Sequence, residues 1–555
     1  MDGEECALDD ACRAGALDCI NGACVDVGPA VDGTRCGSNG RCLDGACETC
    51  GSACALANPC KQATWTCTSG TPVCTATGSD LPNGAACGAD RVCAAGACVG
   101  ATWELEVVSG GAQSAVVTAQ LAPVVVRLRD TGGTALANVP VTISATDGAG
   151  APTSVTTNAQ GTLSVTPRLG RAPGVYTFTF AAEAASPLEV TATATAPAVG
   201  TLFTVVNVDH TSGNSGVPGA GTLARVGVTR GLASASDGTL FVSAGHRVYA
   251  LLPEGVLFVV AGTGTSGSTG DNGPAENALL STPSGLAFDE ENLLLFIADT
   301  GNQRIRVVDL QSGIISTYAG GGNAAGPGYG DGDLATNAVF ALDSGALSIG
   351  PDGALYVADD GHLRFRRIDP GSGIITAWLS RPATSPSCTG APVLVDCPSG
   401  GCSLAWSPSG EAIVFGGFCG TNISASSGNG INAIVRRSEA GALTHIAGTA
   451  HSSVSTDGVP ATSADLVHGG AVAVDAGGNV FVSLTGQHKV RRIEAATGFI
   501  TTVAGDGTWG FFGDYVPASS GILSSPRGIL TLPGGGVVFA DGNNAAVRRI
   551  WGASE

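Results

Sequence analysis

The sequence predicts an all-β protein: a six-bladed β-propeller with an Ig-like β-sandwich and an N-terminal disulfide-rich segment. Three observations support this fold class. A four-strand pattern recurs after residue 231, five times complete and a sixth time without its fourth strand; a cysteine-free stretch of turn-separated strands precedes it; and fifteen of the 19 cysteines lie before residue 99. We place the three parts at residues 1–99, 100–198 and 199–555.

Residues 285–320 are the clearest copy of the repeat. Leu294–Ala298 is a continuous apolar run, as expected of a strand covered on both faces. Arg304–Val308 alternates as a half-buried strand does, and Leu286–Phe288 and Ile314–Tyr318 complete a set of four. One four-stranded sheet cannot bury both of its faces alone, so the recurrence of the set predicts packed blades.

The strand inventory predicts how the ring of blades closes. Six first, second and third strands follow residue 231, but only five fourth strands do. The missing fourth-strand pattern lies upstream, at Thr201–Val206. We predict that it pairs with the last blade around Val547–Ile550, which would leave no open sheet edge.

Gly-rich acidic loops join the blades, most clearly Thr269–Leu280 (TGDNGPAENALL). Weaker copies lie at Gly330–Val339, Ser455–Leu466 and Phe512–Leu523. On these loops and strands the region resembles the NHL-repeat propellers, in the bacterial form and the similar teneurin-like type. The resemblance implies a fold and names neither a ligand nor a reaction.

Residues 100–198 read as a sandwich of about seven short strands. The strands include Val124–Leu128, Val139–Ser144, Thr162–Thr166, Gly174–Phe180 and Leu188–Thr195. This stretch resembles the bacterial Ig-like domains of invasin and intimin type. The resemblance implies a stalk or spacer.

The N-terminal segment repeats one cysteine spacing, in Cys36, Cys42 and Cys47 and again in Cys87, Cys93 and Cys98. Such density predicts disulfides and an oxidising compartment. The repeats resemble disintegrin-type Cys-rich modules of extracellular proteins. Zinc is the alternative, although no histidine precedes His210 to complete a mixed ligand set.

The expected location is extracellular or at the cell surface. The first residues have neither the basic start nor the apolar stretch of a signal peptide, so we expect a fragment or an internal translation start. The cysteines up to Cys47 number seven, and the odd one is a candidate for disulfide pairing with an assembly partner. No apolar run reaches the roughly 18 residues of a membrane span.

Four further cysteines cluster at the junction of blades 3 and 4: Cys388, Cys397, Cys402 and Cys419. Two disulfides that pin an extended loop are expected, with three possible pairings, of which Cys397–Cys402 closes the tightest loop. A rigid loop of this kind on a scaffold is a candidate recognition element.

Catalytic and metal candidates are few. His246, His362 and His488 precede third strands at equivalent places, where blade 2 has Gln303, which indicates a polar rim position. The channel-lining first strands offer only Asp289 and Asp475 as acids, so we assign no catalytic residue. Calcium is the possible cofactor, with weak candidate ligands in the blade-joining loops at Asp271, Asp331 and Asp333.

Aspartates end several second strands and are predicted to cap backbone N–H groups in the turns that follow. They are Asp299, Asp359, Asp360 and Asp541.

The candidate binding residues are aromatic side chains on the loops. Trp509–Tyr515 (WGFFGDY) contributes Trp509, Phe511, Phe512 and Tyr515, and an earlier loop contributes Tyr329. Aromatic anchors favour recognition of a protein or glycan. The alternative is that these rings fill space between blades.

The net charge of −20 argues against nucleic acid as a partner. The sequence therefore predicts a secreted or cell-surface binding or adhesion protein that presents its propeller to protein or glycan. One alternative is a metal-dependent propeller enzyme of lyase or lactonase type. A second is a structural segment of a surface fibre.

Overall fold

The structure is a computed structural model of the 555-residue chain. It describes residues 102–552 except 147–148, 171–172, 208–211, 214, 254, 324–325, 327, 382–391, 398–400, 420–430, 450–455 and 534. Before residue 102 it describes the backbone of ten short strands. The described part contains only strands, turns and short 3-10 helices, so the all-β prediction is confirmed.

Described residues between 201 and 550 form six antiparallel sheets. The innermost, first strands are Thr229–Ser234, Leu286–Asp289, Leu347–Ile349, Ser403–Trp406, Gly469–Val474 and Pro526–Thr531. The second strands are Leu240–Ala244, Leu294–Asp299, Leu355–Asp359, Ala412–Cys419, Val480–Leu484 and Val537–Asp541. The third strands are Arg247–Leu251, Arg304–Asp309, Arg364–Ile368, Ile431–Arg437, Lys489–Ile493 and Ala546–Ile550.

Five fourth strands follow in order: Val256–Ala261, Ile314–Gly320, Ile375–Ser380, Leu443–Ala447 and Phe499–Ala504. The sixth is Thr201–Val206, which pairs antiparallel with Ala546–Ile550 and brings Leu202 opposite Ile550. Each first strand also contacts the first strand of the next sheet, and the sixth lies beside the first. The six-bladed propeller and its closure by an upstream strand are confirmed.

Short elements extend the blades. Two-residue strands at Gly219–Ala220, Gly273–Pro274, Val459–Pro460 and Val516–Pro517 add an outer partner to four sheets, and Val393–Asp396 pairs with the second strand of blade 4. The blade-joining loops contain 3-10 helices at Gly221–Leu223, Ala275–Asn277, Ala335–Asn337, Ala461–Ser463 and Ala518–Ser520. Three more follow second strands, at Thr300–Asn302, Asp360–His362 and Gly542–Asn544.

Glycine allows the first strands to approach each other at one end of the channel. A Cβ atom at Gly231 would overlap the carbonyl oxygen of Ser284, and one at Gly285 would overlap that of Gly345. Only a residue without a side chain fits where backbones come this close. The apolar core lies between neighbouring sheets, where Phe241, Leu295 and similar side chains are buried.

Residues 103–195 form a β-sandwich. One sheet orders Trp103–Ser109, Val124–Asp130 and Thr162–Val165. The other orders Gln113–Val116, Leu188–Thr195, Gly174–Ala181, Pro140–Ala145 and Ser154–Thr156. One apolar cluster includes sandwich residues such as Phe178 and propeller residues such as Phe203, so the two units pack against each other.

The two N-terminal cysteine repeats have the same strand pattern. Arg35–Cys36, Gly40–Leu43 and Ala46–Thr49 form one three-stranded sheet, and Ala86–Gly88, Arg91–Ala94 and Ala97–Gly100 form another. The other strands are Asp18–Ile20 with Ala23–Val25 and Lys61–Thr66 with Val73–Asp80. Cys93 is buried and disulfide-bonded. The side chains of the other cysteines for which disulfides were predicted in this segment lie outside the described residues.

Among the residues that the structure describes, no helix has both the length and the apolar character that crossing a bilayer requires.

Candidate functional site

The loop face of the propeller is the end where each fourth strand leads into the next blade and each second strand turns into the third. Its loops hydrogen-bond to one another: the amide of Asn544, between the second and third strands, donates to Gly510 in the preceding blade-joining loop at 2.9 Å. The candidate binding and calcium residues of the sequence all belong to this face.

Buried arginines on third strands hold four of the acidic loops in place. Arg306, Arg366, Arg491 and Arg548 have almost no exposure. Their aspartate partners, at 2.5–3.0 Å, are Asp271, Asp331, Asp457 and Asp514, respectively. The repeat therefore uses an Arg–Asp pair to fasten each loop to the blade that it enters.

These ion pairs engage the carboxylates of two of the three candidate calcium ligands. Asp271 accepts from Arg306, and Asp331 accepts from both Arg364 and Arg366. Asp333 accepts from the backbone N–H of Leu334 and the amide of Asn337. Calcium binding in these loops stays a prediction, and a cation there would compete with guanidinium groups for the same oxygens.

The aspartates that end second strands cap backbone N–H groups, but these groups lie in the blade-joining loops and not, as predicted, in the turns that follow the strands. Asp299, Asp359 and Asp541 accept from the N–H groups of Ser281, Ala341 and Ser524, respectively, at 2.7–2.8 Å. Burial raises the pKa of Asp541 to about 6, and the neighbouring Arg548 opposes that shift.

Two of the histidines share one structural role. Nδ1 of His246 accepts from Thr282 N–H, and Nδ1 of His488 accepts from Ser525 N–H, each at 3.1 Å. Gln303 accepts from Leu342 N–H in the same way, so in blades 1, 2 and 5 this position links the blade to the following loop.

His362 is not equivalent to the other two histidines. Strand register places it two residues before the third strand of blade 3, whereas His246 and His488 lie immediately before theirs. It bonds Asp359 at 3.0 Å, as Asn302 bonds Asp299 in blade 2. The prediction that the three histidines are equivalent was therefore wrong, because His362 lies one residue further from its third strand than the other two do. The offset is hard to see in the sequence because the turn between the second and third strands is longer in blade 3 than in blade 1.

The five aromatic candidates divide into exposed and packed side chains. Trp509 and Phe512 are 69% and 58% exposed. Phe511 lies under the guanidinium of Arg548 at 4.5 Å, and Tyr329 stacks on His362 with ring centroids 3.6 Å apart. Only the first two therefore present most of their surface to solvent.

Tyr515 connects the propeller to the sandwich. Its hydroxyl lies 2.6 Å from the hydroxyl of Thr118, and burial raises the pKa of the phenol to about 12. The side chain remains 36% exposed, but its polar end is engaged. Sequence patterns identified the loop and could not identify this partner, because periodicity carries no information on how two domains meet.

A cavity of about 350 Å³ lies at the channel mouth on the loop face. Its lining includes Arg230, Ser344, Asp360, Thr485 and Arg527. The sequence argument missed both arginines. The available signal was the Arg-Gly dipeptide that opens the first strands of blades 1 and 6 alone, which ring closure makes neighbours.

A disulfide forms one wall of this cavity. Cys397 and Cys402 are bonded to each other, and the N–H of Cys402 donates to the buried Asp360 at 3.0 Å. Both sulfurs lie close to Asp360, but their covalent bond leaves no thiolate to ligate a metal. Cys419 is also disulfide-bonded, and Cys388 lies outside the described residues.

The two acids of the first strands serve in turns. Asp289 accepts from the backbone N–H and side-chain amide of Asn292. Asp475 accepts from the same two groups of Asn479. These bonds account for both carboxylates as turn-stabilising groups.

Comparison with known proteins gives partial matches. Residues 280–308 match the NHL repeat family. NHL repeat-containing protein 2 of Bos taurus is 36% identical over 99 residues, 18% of this chain and 13% of that protein. Protein SUPPRESSOR OF QUENCHING 1, chloroplastic, of Arabidopsis thaliana is 24% identical over 323 residues, 56% of this chain and 29% of that protein. The chain thus spans well under half of either relative.

A solved structure of an auxiliary nutrient binding protein from Bacteroides thetaiotaomicron aligns with a TM-score of 0.43 and 13% identity. The alignment covers 81% of this chain and 97% of that one. The matched residues 280–308 include the first two strands of blade 2 and most of its third. The chain therefore carries an NHL repeat in the second blade of an all-β propeller.

Proposed function

We propose that this is an extracellular or cell-surface binding protein that recognises a glycan or protein through the loop face of its propeller. The N-terminal modules and the sandwich, which resemble disintegrin-type and invasin- or intimin-type Ig-like units, serve as stalk and spacer. The disulfide at Cys397–Cys402 supports an oxidising compartment. Recognition through the loop face is compatible with the NHL propeller of bacterial or teneurin-like type that the sequence resembles.

One observation supports this function most strongly: Trp509 and Phe512 of one loop are left largely in solvent. A single exposed aromatic side chain is ordinary, but two of them on one loop can serve together as the kind of aromatic anchor found in many interfaces. An indole or phenyl face stacks equally well on the C–H groups of a sugar ring and on apolar protein side chains.

The backbone of this aromatic loop is fixed in place. Ile522 donates to the carbonyl of Phe512 at 3.0 Å, and Gly510 donates to that of Leu523 at 3.2 Å. A loop that is already ordered loses little conformational entropy when a ligand binds. The loop is therefore prepared to present both rings.

A polysaccharide panel tests the glycan form of this function. Native gels containing dextran, alginate or polygalacturonate retard a protein that binds the embedded polymer. We expect at least one polymer to retard the wild type, and we expect W509A/F512A to lose most of that retardation.

Phe499→Ala is the matched control, because Phe499 is an exposed aromatic residue at the far end of a fourth strand. It should migrate like the wild type. A wild type that no polymer retards, or a double variant that is retarded as strongly as wild type, contradicts the proposed glycan recognition.

A further inference from the structure

Two arginines of the channel mouth lack a counter-charge. Arg230 of blade 1 and Arg527 of blade 6 both line the 350 Å³ cavity and are half-buried. Among the described residues, neither guanidinium has a hydrogen-bond acceptor or a carboxylate within ion-pair distance. The Nε atoms of both are buried without a partner.

Elsewhere the propeller neutralises its buried arginines. Arg306, Arg366, Arg491 and Arg548 each have an aspartate within 3.0 Å. Burying an unpaired charge is costly, and two like charges side by side add to that cost. Burial lowers the pKa of Arg230 and of Arg527, and the charge of Arg230 lowers that of Arg527 further. A bound anion would relieve both costs.

The opposite wall of the cavity is polar. The buried Asp360 accepts from Cys402 N–H and from the N–H and hydroxyl of Ser344, so its oxygens are already engaged. Asp343, also in the lining, is exposed and carries a further negative charge. The acids of this wall repel an anion that is bound to the two arginines, and they repel a singly charged anion less than a dianion.

The size of the cavity limits the ligand. About 350 Å³ lies near the lower end of small-molecule pockets. Arginine pairs carboxylates through two parallel N–H bonds, and the Thr485 and Ser344 oxygens can meet hydroxyl groups. A compact, singly charged carboxylate that carries hydroxyls fits both walls.

We propose that Arg230 and Arg527 form a carboxylate-binding site at the channel mouth, which takes a sugar acid of monosaccharide size. This site is separate from the aromatic loop and does not depend on it. A ligand can therefore bind here whether or not the aromatic loop binds a polymer.

Titration calorimetry with galacturonate and with galactose tests the site, because the two sugars differ at one carboxylate. We expect galacturonate to bind and galactose to bind at least about tenfold more weakly, as loss of a charged hydrogen-bond partner predicts. Equal binding of the two sugars, or tighter binding of inorganic phosphate than of galacturonate, overturns the assignment.

R230Q/R527Q should weaken galacturonate binding by about tenfold or more. The matched control is R436Q, which removes the same type of charge from an exposed third-strand residue whose only ion pair to a described residue, Glu411, is 3.8 Å long. A double variant that binds like R436Q contradicts the proposal.

Arginine modification by phenylglyoxal tests the same site in the unmutated protein. Peptide mapping should show that galacturonate protects Arg230 and Arg527 and leaves Arg436 unprotected. Equal labelling of all three with and without galacturonate contradicts the site, even if the double variant fails to fold.

Discussion

Arg366 is fully buried and donates to one carboxylate oxygen of Asp331 through both Nε, at 3.0 Å, and Nη2, at 2.8 Å. The same guanidinium lies 3.5 Å from the buried Asp359. One side chain thus joins the third strand of blade 3 to its entry loop and to the end of its second strand. This joint recurs in blades 2 and 6, and it explains why the acidic loops keep a fixed shape.

Replacing Arg366 with methionine should destabilise the propeller by about 3 kcal/mol, because it removes a buried counter-charge from Asp359 and leaves Asp331 paired with Arg364 alone. Urea unfolding followed by tryptophan fluorescence measures the loss. Arg367→Met is the matched control on the next residue, whose partners are exposed, and it should cost less than about 1 kcal/mol. Similar losses for both variants would contradict a structural role for the buried pair.

The Asp457–Arg491 pair should make stability sensitive to acid. Burial raises the pKa of Asp457, but hydrogen bonds from Thr502 and the charge of Arg491 outweigh it, so the net shift is downward. A carboxyl with a depressed folded pKa stabilises the protein above its unfolded pKa of 3.8, and that contribution disappears as pH falls through the folded value.

Asp457→Asn should therefore lower the melting temperature at about pH 7 and have less effect at about pH 3. The control is Glu439→Gln, because Glu439 is exposed and makes no hydrogen bond or ion pair in the described chain. Its effect should be small at both values. An Asp457→Asn deficit that is the same at both pH values would argue against the ion pair.

The hydroxyl contact between Tyr515 and Thr118 should couple the propeller to the sandwich. Y515F and T118V should each cost about 1 kcal/mol, and the double variant should cost less than their sum, because both remove the same hydrogen bond. A double-mutant cycle of unfolding free energies measures the coupling.

Y318F supplies the comparison for this cycle, because the hydroxyl of Tyr318 has no hydrogen bond to a described residue. The change in unfolding free energy that Y318F causes should simply add to the change that T118V causes. Additive losses for Y515F and T118V would show that the observed contact does not join the two domains energetically.

The Cys397–Cys402 disulfide should stabilise the wall of the channel mouth. Its ring is short, so the chain-entropy argument gives about 2 kcal/mol. C397S/C402S should lose roughly that amount in non-reducing thermal unfolding. Unchanged stability would contradict a structural role for this bond.

Local patterns predicted the blades because the strands carry their own periodicity. The strands expected at 286–288, 294–298, 304–308 and 314–318 occur as Leu286–Asp289, Leu294–Asp299, Arg304–Asp309 and Ile314–Gly320. The position of the sixth fourth strand was also predictable. The sequence after residue 231 supplies only five fourth strands for six blades, so a closed ring needs one from an upstream segment.

The channel mouth was not predictable in the same way. Arg230 and Arg527 are far apart in sequence, and they become neighbours only when blade 6 closes on blade 1. The partner of Tyr515 belongs to another domain. Both features arise from long-range packing, which a pattern within one segment does not encode.

The central claim is that the loop face is the recognition surface, and hydrogen–deuterium exchange tests it most directly, once with the polymer that retards the wild type and once with galacturonate. We predict slower exchange in residues 505–515 with the polymer and around residues 230 and 527 with galacturonate. The opposite end of the channel, around Ile349 and Trp406, should exchange at an unchanged rate. Protection confined to that opposite end or to the sandwich, or no protection anywhere, would contradict the account.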